Sequence, residues 1–322
     1  MIITNSMVKS YQDCKKAYTF KYPQQLLRKT GARSLPLKRG VWLHKLLETM
    51  YLGGDWREVH KELSKDYDRL FDEEKDLYGD LPTHCFRIMR AYDHYWKLAD
   101  KDLRIIEVEK TFIVPLPHGH SFKFTLDGLV EDEYGFWLFE HKSHLSIPTS
   151  DYRFMDPQTA RYFWALEQLG YPMVGVLWNY LSTLNLSKPK LTQKGALSRS
   201  KIRSDPYTFS EGLKDLGLDP REYKDDIISV KRRLPTLYRR ERVPKPAKVS
   251  ETLVKDMVHI ADEIERGYRP LRHITRTCER CEYMMLCLTQ LYGGDAQQVR
   301  KSQYRKAISG DHSYSNEELR SL

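Results

Sequence analysis

Asp127, Glu140 and Lys142 are the residues of this chain whose types and spacing are best suited to carry a reaction. Glu140 and Lys142 lie two apart in the apolar, aromatic-rich run Phe136–Ser143, so in a strand they emerge on one face. Asp127 belongs to a similar run, Phe122–Val130, separated from the first by the turn signal Asp132-Glu-Tyr-Gly135. Paired as a hairpin, the two strands bring two carboxylates and one ammonium to a single spot. Carboxylate oxygens are hard ligands that suit Mg2+ or Mn2+, and an adjacent ammonium can orient an attacking water or stabilise charge at a phosphate. An E-x-K triplet alone is most often a solvated strand end. Asp127 and the strand–turn–strand setting are what make it a candidate site.

Thiols carry a second chemistry. Cys14 stands alone near the start, and Cys278, Cys281 and Cys287 form a C-x2-C-x5-C group near the end. Thiolates are soft ligands for zinc or iron–sulfur centres, and a tight triplet with one remote cysteine supplies the four ligands of a [4Fe–4S] cube. Zinc and disulfide pairing stay open on the thiols alone, although Met1–Ser10 lacks the apolar core of a secretory signal. Cys85, outside this pattern, reads as an ordinary buried thiol.

A length of 322 residues with 40% apolar content allows a substantial core. No apolar run approaches the roughly 18–20 residues of a membrane span, so the expected partners are aqueous and the expected location is a reducing cytosol. The net charge is +9, and the stretch 188–242, with 15 Lys/Arg against 8 Asp/Glu, contributes +7 of it. Its basic runs, Lys188-Pro-Lys190, Arg199-Ser-Lys201-Ile-Arg203, Lys231-Arg232-Arg233 and Arg239-Arg240-Glu241-Arg242, are interleaved with Tyr207, Phe209, Tyr223 and Tyr238. Cations for phosphates with aromatic faces for unstacked bases are the footprint of single-strand binding, whereas any one run alone is commonly a solvated face. No G-x4-G-K-[ST] sequence occurs, so ATP-driven unwinding would need a helicase partner.

The elements that must position these residues follow from periodicity. A helix is predicted over 37–51, stopped by Gly53-Gly54, which places His44 and Glu48 one turn apart on one face. An acidic loop around 72–80 precedes a second helix over 83–99. Strands are predicted over 105–114, 122–130 and 136–143 as an antiparallel meander. Glu109, on the first of them, is equally compatible with facing the site or the solvent. Asp156-Pro157 opens a helix through Leu169, on which Gln158 and Tyr162 share a face, placed to bond a substrate phosphate or to brace Lys142. A buried strand follows over 174–181. The basic insertion, about 188–248, reads as mixed loop and helix, followed by a helix over 250–266. One domain is expected over 1–292, with a cysteine segment at 268–292 and a polar, mobile tail at 293–322.

Together, Asp127 and Glu140-His-Lys142 resemble the core of the PD-(D/E)XK nucleases, specifically their RecB-like branch. Gly40-Val-Trp-Leu-His44-Lys-Leu-Leu-Glu48 resembles that branch's first-helix motif, and Gln158-Thr-Ala-Arg-Tyr162 its Q-x3-Y motif. One N-terminal and three C-terminal cysteines are similar to the iron–sulfur subgroup, which includes the AddB nuclease domain and CRISPR-associated RecB-like exonucleases. The long basic insertion departs from the shortest members and resembles phage-encoded versions. The resemblance implies an α/β fold, a restriction-endonuclease-like core with a central mixed sheet flanked by helices, its N- and C-terminal segments joined by the cluster. It implies a Mg2+- or Mn2+-dependent deoxyribonuclease, an exonuclease on single-stranded DNA ends in recombination, repair or phage DNA processing, with a helicase or recombinase as partner. His44, Asp127, Glu140 and the His141 carbonyl would hold metal, Lys142 would stabilise charge, Gln158 and Tyr162 would assist, and Cys14, Cys278, Cys281 and Cys287 would hold a [4Fe–4S] cluster. The competing reading is a catalytically silent or zinc-stabilised DNA-binding module.

Overall fold

The computed structural model describes residues 1–29, 34–96, 99–145, 156–246 and 248–307. The chain begins with β1 (Ile2–Ile3), α1 (Asn5–Asp13), α2 (Lys15–Lys21) and β2 (Leu26–Arg28), then a helical run of α3 (Leu35–Tyr51), α4 (Trp56–Asp68), α5 (Asp72–Tyr78) and α6 (Leu81–Trp96). The expected acidic loop is thus a helix. Asp72, Glu73 and Glu74 in its first turn complement the helix dipole, and Gly79 ends it at φ 55°. Next come β3 (Arg104–Pro115), β4 (Ser121–Asp132), β5 (Gly135–His144), α7 (Pro157–Gln168) and β6 (Met173–Ser182). The Asp156 side chain caps α7 by accepting from the Thr159 N–H, as the Asp-Pro signal requires.

The basic segment holds α8 (Pro206–Asp215), α9 (Lys224–Lys231) and β7 (Tyr238–Pro244). β7 corrects the reading of this region as a loop-and-helix insertion, because it pairs antiparallel with β6 and completes the central sheet. The chain continues through α10 (Val249–Arg266), α11 (Met284–Leu291), α12 (Ala296–Gln303) and β8 (Tyr304–Lys306). Within the segment expected as a tail lie α12 and β8, and β8 pairs with β2; the rest lies outside the described residues.

The sheet is mixed and flanked by helices. β3, β4 and β5 form the expected antiparallel meander, β5 and β6 run parallel, and β1 joins β4 in parallel. Phe122, Phe124, Leu126, Leu138, Val176 and Trp178 pack with Tyr162, Phe163 and Leu166 of α7 and with Met257 and Ala261 of α10. A second cluster, Trp42, Leu43, Leu46 and Leu47 of α3 with Trp56 and α6, covers the region near Leu181 and Tyr238. Burial of such side chains, about 1.5–3 kcal/mol each, holds the helices on the sheet.

The edge of β4 is shared. β1 occupies its beginning, at Ser121 and Phe122, and β5 its end, from Gly128 to Asp132. The last rung of the β4–β5 ladder is Gly128 opposite Phe139, where an added Cβ would lie 3.2 Å from the Phe139 Cβ. Beyond that rung the strands part at Asp127.

Candidate metal centre

Asp127 and Glu140 stand at this fork. The Asp127 carboxylate replaces the next ladder bond, its Oδ2 accepting from the His141 N–H at 2.8 Å. α3 lies over the fork and delivers His44, whose Nδ1 is 3.4 Å from Asp127 Oδ1 and 3.9 Å from Glu109 Oε1. Leu43, Leu46 and Leu47 are buried in the core, which fixes the helix so that His44 faces the sheet. One ligand atom from each of His44, Glu109 and Asp127 lies within 4.8 Å of the others, the geometry of a metal-binding trio. Glu109 thus faces the site and is largely buried, and its backbone sits in the left-handed region at φ 46°.

Glu140 is buried beside the trio. Its Oε2 accepts from Lys142 Nζ at 3.0 Å, while Oε1, also buried, has no hydrogen-bond partner among the described residues. A buried carboxylate oxygen without a donor is costly unless a cation compensates it. The electrostatics point the same way. Burial pushes the Glu140 carboxyl up to about 8 against the pull of Lys142, with the Asp127 charge adding to the rise. Burial alone would raise Asp127 too, but His44 beside it holds it well below the usual carboxylate range. Burial would lower His44, yet Asp127 and Glu109 outweigh it and push the imidazole up to about 10. Lys142 stays charged because Glu140 and Asp127 overcome its burial. Acids held against a protonated histidine and a lysine, with one oxygen unsatisfied, fit a divalent cation that replaces the proton on His44 and leaves an imidazole nitrogen and carboxylate oxygens as donors.

The remaining predicted residues divide. The His141 ring is buried and stacked on Tyr51 at 5.6 Å, and burial takes its pKa down to about 3, so it is neutral. Tyr162 is fully buried; its hydroxyl accepts from Gln158 Nε2 at 3.3 Å and donates to the Thr125 carbonyl at 3.1 Å, within the stretch of β4 between β1 and β5. Tyr162 is thereby tied to β4 beside the fork. Glu48 pairs with Lys45 at 2.8 Å. Glu109 carried less weight in the sequence than the structure gives it, because alternation along an isolated strand leaves its facing open.

The four cysteines gather around a cavity whose lining includes none of the metal trio. Cys14, between α1 and α2, and Cys278, Cys281 and Cys287 all line one cavity of about 770 Å³. The His273 N–H points at Cys14 Sγ (3.5 Å), and Arg272 Nε donates to Cys287 Sγ at 3.3 Å. Bonds between the chain ends support this closure, with Lys16 N–H donating to Leu271 O and Tyr283 O–H to Leu26 O.

Lys190, Lys194, Arg199, Lys201, Arg203, Lys231 and Arg232 are exposed. Of the interleaved aromatics, Phe209 and Tyr238 are buried in apolar clusters and offer no face to a base, whereas Tyr207 and Tyr223 are half-buried.

The site is thus a mixed α/β sheet that forks at an aspartate, with a glutamate–lysine pair on the neighbouring strand and a histidine-bearing helix across the fork. A model of the PD-(D/E)XK nuclease superfamily matches residues 3–288, and the chain belongs to that superfamily. Membership implies metal-dependent nuclease activity with DNA as substrate. Among solved structures, the crystal structure of SSO0001 is similar at 11% identity over 89% of this chain and 85% of that one, with a TM-score of 0.35. No curated protein matches the chain. No helix among the described residues is long and apolar enough to cross a membrane.

Proposed function

We propose that the protein is a RecB-like exonuclease of the iron–sulfur branch, hydrolysing phosphodiester bonds at single-stranded DNA ends with Mg2+ or Mn2+. The observation that carries this reading is the convergence of His44, Glu109 and Asp127 beside the buried Glu140–Lys142 pair. His44, Glu109, Asp127, Glu140 and the His141 carbonyl would hold the metal. When bound, a divalent ion polarises the phosphate and lowers the pKa of a water. Lys142, kept charged by Glu140, orients the attacking water and stabilises the charge that develops on the phosphate. Tyr162 and Gln158 keep β4 in place so that Asp127 stays aimed at the site. The exposed cations between Lys190 and Arg232 hold the DNA backbone.

We assign a [4Fe–4S] cluster to the four cysteines on the strength of their shared cavity and of the N–H groups aimed at two of the sulfurs, which favour thiolates. Hydrolysis needs no electron transfer, so the cluster's role is to fasten the chain ends. Cys281→Ala is expected to lose iron, thermal stability and DNA binding together; iron and sulfide analysis of anaerobically purified protein checks this, and stoichiometric zinc in colourless protein would remove the assignment.

The activity is tested with end-labelled single- and double-stranded DNA, linear and circular. Cleavage of linear single strands requiring Mg2+ or Mn2+, lost in Asp127→Asn and Lys142→Ala while both still bind DNA, is expected. Cutting of circles would rule out an end-dependent enzyme, and metal-independent or absent cleavage would leave a DNA-binding module.

A further inference from the structure

Arg240 is the one cation of the basic segment's last run that points inward. Its side chain is 10% exposed, stacked 3.9 Å over Trp96 and 5.0 Å over Phe139. The guanidinium donates through both terminal nitrogens to Asp100, through Nη2 to the hydroxyls of Tyr51 (2.6 Å) and Tyr92 (3.0 Å), and through Nε to Asn179 Oδ1 at 3.3 Å. The last bond orients an amide. With Oδ1 turned to Arg240, Nδ2 of Asn179 faces His141 Nδ1 at 2.8 Å and donates to it. The His141 ring must then carry its proton on Nε2.

A solvated cation has no use for such a fork, and a purely structural buried ion pair is often replaceable by apolar residues. Here the partners converge on one ring instead. Asn179 fixes its edge and Tyr51 stacks on its face, and Arg240 fixes both. That ring belongs to the residue between Glu140 and Lys142, and its peptide N–H holds Asp127.

We propose that Arg240 is a positioning residue for the metal centre: acting through Asn179 and Tyr51, it locks the His141 ring and so the peptide that aims Asp127. The proposal rests on the nuclease reading above, and it makes β7 part of the catalytic support as well as of the basic segment.

The test uses the full-length protein, with Mn2+ affinity, kcat and KM for linear single-stranded DNA, and thermal melting, in Asn179→Leu, Arg240→Lys and their combination. Lys keeps the charge but cannot span these partners. Outer partners of metal ligands typically contribute about 10–100-fold in affinity or activity. Each single variant is therefore expected to weaken Mn2+ binding or lower kcat by about tenfold or more with KM within twofold, and the double variant to lose no more than the worse single one. A lowered melting temperature with wild-type kcat and Mn2+ affinity overturns the proposal, as does a rise in KM alone or a multiplicative double loss. In the wild type, 15N NMR should show His141 protonated on Nε2; an Nδ1–H tautomer overturns it whatever the variants do. Failure of the wild type to cleave would count against the nuclease reading instead, while Mn2+ binding would still report on the network.

Discussion

Glu109 adopts a backbone conformation that costs a non-glycine residue about 1–2 kcal/mol, and such strain collects where function needs a side chain aimed. The expectation is opposite signs for two properties of one variant. Glu109→Gly should raise the melting temperature of the metal-free protein by relieving the strain, yet weaken Mn2+ binding at least tenfold by deleting a carboxylate. Differential scanning calorimetry and Mn2+ titration read the two. Protons compete with metal at the same residues. His44, raised to about 10, and Glu140, raised to about 8, must both release protons when metal binds. Mn2+ affinity should therefore rise with pH, most steeply below about 8 where two protons leave, then with one proton between 8 and 10. Isothermal titration in buffers of different ionisation enthalpy counts them, and a flat profile would sever the metal from these side chains. In the metal-free protein the His44 shift works the other way. Its stabilising contribution is whole below about pH 6.5, the usual value for histidine, and is lost as pH climbs through 10.

At the scale of elements, the site is a gap in a ladder, and the two halves of that gap were unequally legible. The turn at Asp132–Gly135, the β-branched and aromatic runs and the Asp-Pro cap of α7 announce β3, β4, β5 and α7 locally, so Asp127, Glu140 and Lys142 could be brought together from sequence. Tyr162's true partner could not, because the Thr125 carbonyl becomes available only where β1 and β5 leave β4's edge between them. β7 was hidden for a related reason: Arg239-Arg240-Glu241-Arg242 looks solvated on any local scale, and only Asn179, Asp100 and two tyrosines make its inward arginine tolerable. Tyr162→Phe, which deletes both hydrogen bonds of the hydroxyl, to the Thr125 carbonyl and from Gln158, should cost about 1–2 kcal/mol of stability. It should also lower kcat more than it weakens DNA binding, as stopped-flow cleavage and fluorescence anisotropy would show.

Across the whole molecule, charge and chemistry are apportioned to different parts of the chain, the fork in the central sheet and the exposed cations in the connection between β6 and β7. If, as proposed, the outward cations of the basic segment serve association, a Lys194→Glu, Arg199→Glu, Lys201→Glu variant should bind single-stranded DNA far more weakly. Its log-affinity should fall less steeply with log salt concentration, with kcat at saturating DNA retained. A matching loss in kcat would place those residues at the reaction itself. α12 and β8 lie beyond residue 292, and β8 pairs with β2. Antiparallel pairing between segments so far apart in sequence has no local signature.

That meeting of the chain's ends also sets how freely the rest can change. Joining two distant points of a polymer incurs an entropy that grows only with the logarithm of the intervening length, about 0.6 kcal/mol for each doubling. Inserting or trimming a few dozen residues inside the ring closed by β2 and β8 would therefore barely alter the free energy of closure. The exposed part of the basic segment is where such variation is cheapest, and the cationic surface proposed to hold DNA can be lengthened or remodelled there while the fork, its props and the terminal fastening stay as they are.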